Sequence, residues 1–158
     1  MLVTLLSVAA AVAALALGAG QAGMLGGQPP SQIGVSDGRL PPPKKSPNNV
    51  HSQAASWGPE FSHTRIDPLP VQTDGPATLT RLRGLIEATP GAVVVKSDPD
   101  YLYVQYTTKW MKFVDDAEFW FDPTAQKLQV RSASRLGDGD MGVNRARIED
   151  LRRRLAQP

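Results

Sequence analysis

Phe113-Val-Asp-Asp-Ala-Glu-Phe-Trp-Phe-Asp122 and, four residues later, Lys127-Leu-Gln-Val-Arg-Ser-Ala-Ser134 show the residue pattern of paired β-strands. In both segments alternate residues would fall on opposite faces of a strand and form two unlike sets of side chains. Aromatic and β-branched residues are also frequent. Pro123 lies between the segments in a turn, where no ladder hydrogen bond is needed. We therefore predict antiparallel strands from Met111 to Phe121 and from Lys127 to Arg135.

The turn also predicts the register of this strand pair. If Asp122 faces Lys127, the period of two places Glu118 directly opposite Arg131 and Asp116 diagonal to the same arginine. The structural interpretation of these charges is a cross-strand ladder, which on an exposed face contributes about 0–1 kcal/mol per ion pair.

The remaining sequence predicts two helices and a further hairpin, from helical spacing of leucine and isoleucine, capping residues and alternation. We expect an α+β domain with a four-stranded antiparallel meander and both helices packed on one face, preceded by an apolar export or anchor helix. The further predicted elements are a helix from Asp74 to Pro90, strands Ala92–Lys96 and Tyr101–Thr108, and a last helix capped by Asp138 or Asp140.

Composition excludes several classes of function. The chain has 158 residues, which suits one domain, and its formal net charge is only +2. A charge this small lacks the long-range field of nucleic-acid-binding proteins, so we expect no nucleic-acid partner. There is no cysteine, which excludes disulfides and thiolate metal sites. His51 and His63 are expected at the surface without partners at ligand spacing, and we expect no metal and no cofactor.

The N-terminal segment, residues 1–27, has the composition of an export signal or a membrane anchor. Leu2 to Leu17 is almost continuously apolar, and no charged side chain occurs from Leu2 to Gly27. Small residues around Gly20-Gln-Ala22 fit cleavage by a signal peptidase, whereas the apolar run is long enough to span a bilayer. We expect a retained anchor with the membrane as a partner and a location in the cell envelope. Export to the periplasm or the cell surface is the alternative.

Residues 28–59 are rich in proline, glycine and serine, and Pro41-Pro-Pro43 favours extended polyproline geometry. Ser46-Pro-Asn-Asn-Val-His-Ser-Gln53 is too specific for a flexible spacer. We expect the second half of this segment to pack on the domain formed by residues 60–158.

Arginines, glycines and small hydroxyl residues are concentrated in the last predicted strand and at the start of the last helix. Arginine binds carboxylates and phosphates bidentately, and a helix N-terminus offers free N–H groups. The functional interpretation is a pocket for a small anion. The candidate ligand-binding residues are Glu118, Arg131, Ser132, Ser134, Arg135, Asn144, Arg145 and Arg147.

Asp115 and Asp116 are the candidate catalytic residues, each as a general base. Asp115 is expected on the helix-covered face, where a carboxylate needs partners or takes a raised pKa, and Ser134, Asn144 or Arg145 are the expected partners. The structural alternative is that Asp115 clamps the last helix to the sheet. Neighbouring strand residues point to opposite faces, so a metal site containing both acids is disfavoured.

Several motifs occur together in this chain: Gly38-Arg-Leu-Pro41, Ser46–Ala54, Tyr101-Leu-Tyr103, Phe113–Phe119, Val130–Gly137 and Gly142–Glu149. Together they resemble the uncharacterised bacterial and plastid family catalogued as domain of unknown function 1499, from about Gly38 to Leu155. Many members carry cysteine where this chain has Asn49. The resemblance implies a preceding signal or membrane segment, and it implies no activity or cofactor.

We expect a non-enzymatic cell-envelope module that binds a small anion or a protein partner. One alternative is a carboxylate-based, hydrolase-like enzyme that uses Asp115 or Asp116. Another is a purely structural domain with a salt-bridge ladder. A pocket that joins either acid to the arginines would favour a site over a flat ladder.

Overall fold

The computed structural model describes residues 2–72 and 74–157. The chain is an α+β protein whose strands form one antiparallel sheet in the order β1-β5-β4-β3-β2. The elements in chain order are α1 (Leu2–Gln21), β1 (Asn49–His51), two 3-10 helices (Ala54–Ser56 and Pro59–Thr64), α2 (Gly75–Glu87), β2 (Ala92–Ser97), β3 (Tyr101–Thr107), β4 (Val114–Asp122), β5 (Lys127–Ser134) and α3 (Val143–Ala156).

The sheet has five strands, so the prediction of four was wrong in number although right in class. The additional strand is β1, which pairs with Arg131–Ala133 of β5 at the edge of the sheet. It is three residues long and follows a proline-rich stretch, so it is too short to show the two-residue period from which strands are predicted.

The predicted register of β4 and β5 is confirmed. Asp122 pairs with Lys127 and Glu118 pairs with Arg131. The first of these strands begins later than predicted, at Val114, because Lys112 adopts a left-handed backbone conformation with φ of 55° that no extended strand contains.

Both helices begin where carboxylates satisfy their free N–H groups. Asp74 accepts a hydrogen bond from Ala77 N at 2.7 Å at the start of α2. The backbone turns into α3 at Gly142, whose φ is 79°, and Asp140 accepts from the N–H groups of Gly142 and Asn144 at 2.9 and 2.8 Å. The predicted cap of α2 at Asp74 is confirmed, whereas the N-cap residue of α3 is Gly142, and Asp140, one of the two aspartates predicted to cap this helix, satisfies its N–H groups from two residues earlier.

Helices α2 and α3 cover the same face of the sheet, as predicted, and the main core lies between them and the strands. Phe119, at the centre of β4, is fully buried there, and such burial contributes about 1.5–3 kcal/mol. The fully buried apolar residues around it include Leu82, Ile86, Val104, Leu128, Val130, Ile148 and Leu155.

The opposite face is also covered, which contradicts the expectation of an exposed ladder. Residues that connect α1 to β1 cross this face, and the fully buried Leu40 packs there against Tyr101, Tyr103 and Trp120. The charges of β4 and β5 on this side therefore lie between two layers of chain.

Helix α1 is long and apolar enough to cross a membrane, and only 6% of its apolar window is buried. Export signals and membrane anchors share these properties. Its C-terminal end contacts the domain, where Gln21 Nε2 donates a hydrogen bond to Trp110 O at 2.9 Å.

Candidate functional site

Two ion pairs lie buried between the sheet and the segment that crosses it. Arg131 Nη1 donates to Glu118 Oε2 at 2.7 Å, and the Glu118 side chain is fully buried. Arg135 binds both oxygens of Asp116, from Nε at 2.8 Å and from Nη2 at 2.9 Å. Asp116 faces Ala133 across the ladder, so both arginines are its diagonal neighbours, and Arg135 is the one that binds it.

Two tyrosines of β3 complete the coordination of these carboxylates. Tyr101 Oη donates to Glu118 at 2.6 Å, and Tyr103 Oη donates to Asp116 at 2.6 Å. Burial and the adjacent carboxylates raise the pKa of both phenols, so both remain protonated donors at neutral pH. The candidate site predicted from sequence did not include these tyrosines, although Tyr101-Leu-Tyr103 places both on one face of a strand.

A small cavity opens beside the ladder. It has a volume of about 160 Å³ and is lined by Gln28, Pro30, Lys44, Asp116, Arg131, Ala133, Ser134 and Arg135. Arg131 Nε is buried and has no hydrogen-bond partner among the residues that the structure describes. An unsatisfied buried N–H costs about 1–3 kcal/mol, so this group is unusual in a folded protein.

Lys44 is a second residue of the cavity lining whose N–H groups exceed the hydrogen bonds that it donates. Its ammonium donates one hydrogen bond, to Ser134 O at 2.7 Å, and an ammonium carries three N–H groups. Burial, followed by repulsion from Arg131, lowers the pKa of Lys44 from its ordinary value of 10.5. A negative charge placed beside Lys44 would therefore stabilise its ammonium form.

The local charge balance is positive. Lys44, Arg131 and Arg135 supply three cations, and Asp116 and Glu118 supply two carboxylates, each already paired with an arginine. One positive charge remains without an ion-pair partner in this cluster, and it is that of Lys44.

A second polar cluster lies on the helix side of the sheet. Arg147 Nη2 donates to Asp115 Oδ2 at 2.5 Å, and the guanidinium lies 4.3 Å from the centre of the Tyr106 ring. Arg147 is thus the partner of Asp115, in place of the expected Ser134, Asn144 or Arg145. Arg147 reaches the strand because it lies three residues after Asn144, on the same side of α3.

Asn144 links the start of α3 to β5 and to the residue before β1. Its amide accepts from Ser132 Oγ at 2.5 Å and donates to Ser134 Oγ at 2.9 Å, and it also donates to Asn48 O at 3.2 Å. The side chains of all four residues, Asn48, Ser132, Ser134 and Asn144, are buried. The arrangement fastens the start of α3 to β5 and to the residue that precedes β1.

The predicted site residues thus divide into separate groups. Glu118, Arg131 and Arg135 lie on the face covered by the N-terminal segment, and Ser132, Ser134, Asn144 and Arg147 lie on the helix face or point toward it. Arg145 belongs to neither group, because it is exposed and donates to Arg65 O at 2.9 Å.

His51 is fully buried, so its expected surface position was wrong, whereas His63 is exposed. Nδ1 of His51 accepts from Gln53 N at 2.9 Å, so Nε2 carries the proton and donates to Pro41 O at 2.9 Å. Burial lowers the pKa of this imidazole to about 4. The neutral ring holds the proline segment against β1.

The two candidate catalytic acids lie on opposite faces of β4. Asp115 binds Arg147 and Asp116 binds Arg135, so each carboxylate is engaged by a guanidinium. The cavity joins Asp116 to the arginines, whereas Asp115 is outside it. Among residues 2–72 and 74–157, no three His, Asp or Glu side chains are grouped so that they could hold a metal ion.

The fold and this site define a small α+β domain with a buried, tyrosine-supported salt-bridge ladder, preceded by an apolar helix. The family model described as "Protein of unknown function (DUF1499)" matches residues 39–155, and the chain belongs to this family. No curated protein and no solved structure matches the chain.

Proposed function

We propose that the chain is a non-enzymatic module of the cell envelope, anchored in the membrane by α1, that binds a small anion in the cavity between Lys44, Arg131 and Arg135. The observation that carries this proposal is the buried Arg131 Nε without a partner. An oxyanion in the cavity would accept from this N–H and from the unused donors of Lys44, and would satisfy both.

The size of the cavity limits the ligand. Its volume of about 160 Å³ is below the roughly 300–1,000 Å³ of pockets for drug-sized molecules. A phosphate, a sulfate or a small carboxylate fits a cavity of this volume better than a nucleotide or a sugar does. The nearby carboxylate of Asp116 is neutralised by Arg135 and therefore opposes anion entry less than a free carboxylate would.

The engagement of Asp115 and Asp116 by arginines supports binding rather than catalysis. A general base must be free to take a proton from a substrate or a water. Asp116 already accepts from Arg135 and from Tyr103, and Asp115 accepts from Arg147 at 2.5 Å. Both carboxylates are therefore occupied by donors of the protein itself.

The proposal is tested by thermal unfolding of the full chain in detergent micelles against phosphate, sulfate, acetate and chloride. An anion at a hundred times its Kd stabilises the folded state by about 2.7 kcal/mol. Lys44→Met should abolish the stabilisation, and Lys45→Met, at the adjacent exposed lysine, should retain it. Arg131→Lys keeps a cation beside Glu118 but removes the Nε donor, and should weaken the response.

Equal stabilisation of the wild type and Lys44→Met would refute the site. No response to any of these anions would favour the purely structural role of the ladder.

A further inference from the structure

One end of the sheet presents exposed apolar side chains. Trp110, in the loop between β3 and β4, is 65% exposed. Beside it, a groove of about 260 Å³ runs between this loop and the loop from β5 to α3. The exposed apolar residues that line the groove are Phe113, Leu136, Met141 and Val143. Apolar side chains gathered in one place on a surface mark an interaction site.

The same end of the domain is where α1 attaches. Gln21 Nε2 donates to Trp110 O at 2.9 Å. A Cβ at Gly20 would lie 2.5 Å from Met111 O, so only glycine allows the helix to come this near to the loop. Farther along, a Cβ at Gly27 would lie 2.7 Å from Arg135 Cβ and 3.0 Å from Leu136 Cγ. The chain that leaves α1 therefore follows this end of the sheet.

The length of α1 places this end near the level of a bilayer surface. A helix of 20 residues is about 30 Å long, which equals the thickness of the hydrocarbon core. When α1 spans the bilayer, Gln21 lies at its boundary, and the bonded Trp110 lies beside it. Tryptophan is enriched at this boundary because its ring is apolar and its N–H is polar.

The charges of this end are divided between its two loops: Lys109 and Lys112 lie in the β3–β4 loop, and Asp138 and Asp140 lie in the β5–α3 loop, so it is the first loop that suits anionic headgroups. Lys109 and Lys112 flank Trp110, and the Lys109 ammonium lies 4.9 Å from the centre of the indole ring. Lysines close to a bilayer are attracted to anionic lipid headgroups.

We propose that the end of the domain formed by residues 109–113 and 136–143 rests on the lipid surface into which α1 inserts. Trp110 lies in the headgroup layer, Lys109 and Lys112 contact anionic headgroups, and the groove faces the lipid. The proposal rests on the anchoring role of α1 in the proposed function.

The test uses the full chain reconstituted in phosphatidylcholine vesicles, with and without phosphatidylglycerol, in which part of the lipid carries brominated acyl chains that quench tryptophan fluorescence. Part of the emission should be quenched. That part should disappear in Trp110→Phe and remain in Trp57→Phe. Trp57 is a suitable control because it lies after β1, stacked under Arg39, far along the chain from the loop.

The lysines are tested with the same signal. Lys109→Glu combined with Lys112→Glu should reduce the quenching of Trp110 in vesicles that contain phosphatidylglycerol. Lys127→Glu should leave it unchanged, because Lys127 is exposed at the β4–β5 turn, at the other end of these strands. A loss of quenching in the Lys127 variant as large as in the double variant would overturn the role of the two lysines.

Vesicle flotation separates this proposal from the anchoring role of α1. A chain that floats with the vesicles while Trp110 remains unquenched overturns the lipid contact alone and leaves the anchoring role of α1 standing. A chain that does not float overturns both the anchor and the lipid contact.

Discussion

Arg131 and Glu118 face each other across β5 and β4, and the guanidinium donates to a fully buried carboxylate at 2.7 Å while its own Nε remains without a partner among the described residues. Burying two charges is favourable only when their attraction and further hydrogen bonds compensate for lost hydration. Glu118 is fully satisfied by Arg131, Tyr101 and the backbone of Gly34, whereas Arg131 is not. The unused Nε donor of Arg131 is the reason for proposing that an anion binds beside it.

Replacing Arg131 by methionine should destabilise the protein by about 3–5 kcal/mol, because Glu118 would remain as a buried charge without compensation. Denaturant unfolding of the full chain in detergent micelles measures this change. Adding Glu118→Gln removes the charge and keeps an acceptor for Tyr101, so the double variant should recover part of the loss. Additive destabilisation in the double variant would contradict a coupled pair.

The protein should lose stability in mild acid because of His51. Its folded-state pKa is about 4 and its ordinary value is 6.5, so between these values the unfolded chain binds more protons than the folded chain. Stability from this group is therefore present above pH 6.5 and falls as the pH is lowered to about 4, by on the order of 3 kcal/mol.

Thermal unfolding between these pH values measures the effect. His51→Asn should flatten the dependence, and His63→Asn, at the exposed histidine, should leave it unchanged. A slope in His51→Asn equal to that of the wild type would assign the loss to other groups.

Arg147→Met should loosen α3 from the sheet, since it leaves Asp115 buried without its cation and removes the stacking on Tyr106. We expect a destabilisation of roughly 3 kcal/mol. Hydrogen exchange should accelerate first in the amides of α3. The exposed Arg145→Met is the matched control, and similar exchange in both variants would argue against a clamp.

Anion binding should weaken as the pH rises. The pKa of Lys44 is lowered in the free protein, and a bound anion raises it again, so binding takes up protons in the interval between the two values. Affinity should therefore fall as the pH rises through the interval, and sulfate is the anion to use, because it does not itself take up a proton near neutral pH. Titration calorimetry in buffers of different ionisation enthalpy detects the proton uptake, and an uptake unchanged by Lys44→Met would exclude this lysine.

Local patterns were sufficient for most of the secondary structure. The turn at Asp122–Lys127 and the two-residue period together predicted every pair of β4 and β5, because residues on neighbouring strands of a hairpin are close in sequence. The cap at Asp74 was predictable for the same reason, since Ala77 lies three residues away. Strand β1 was missed because its partner lies about eighty residues away and its own three residues carry no period.

Residue order alone was therefore enough for the class of fold, the register of the last hairpin and the apolar character of α1, since all of these follow from spacing within one element or one turn. Residue order alone did not predict that the ladder is buried, because its burial depends on where a segment without regular structure crosses the sheet. Leu40 contacts β3 and Lys44 contacts β5, and the partners are separated by about 60 to 90 residues along the chain. No local sequence pattern specifies contacts at such separations. Folding thus turned charges that suit a solvated face into buried pairs, and placed Lys44 beside Arg131.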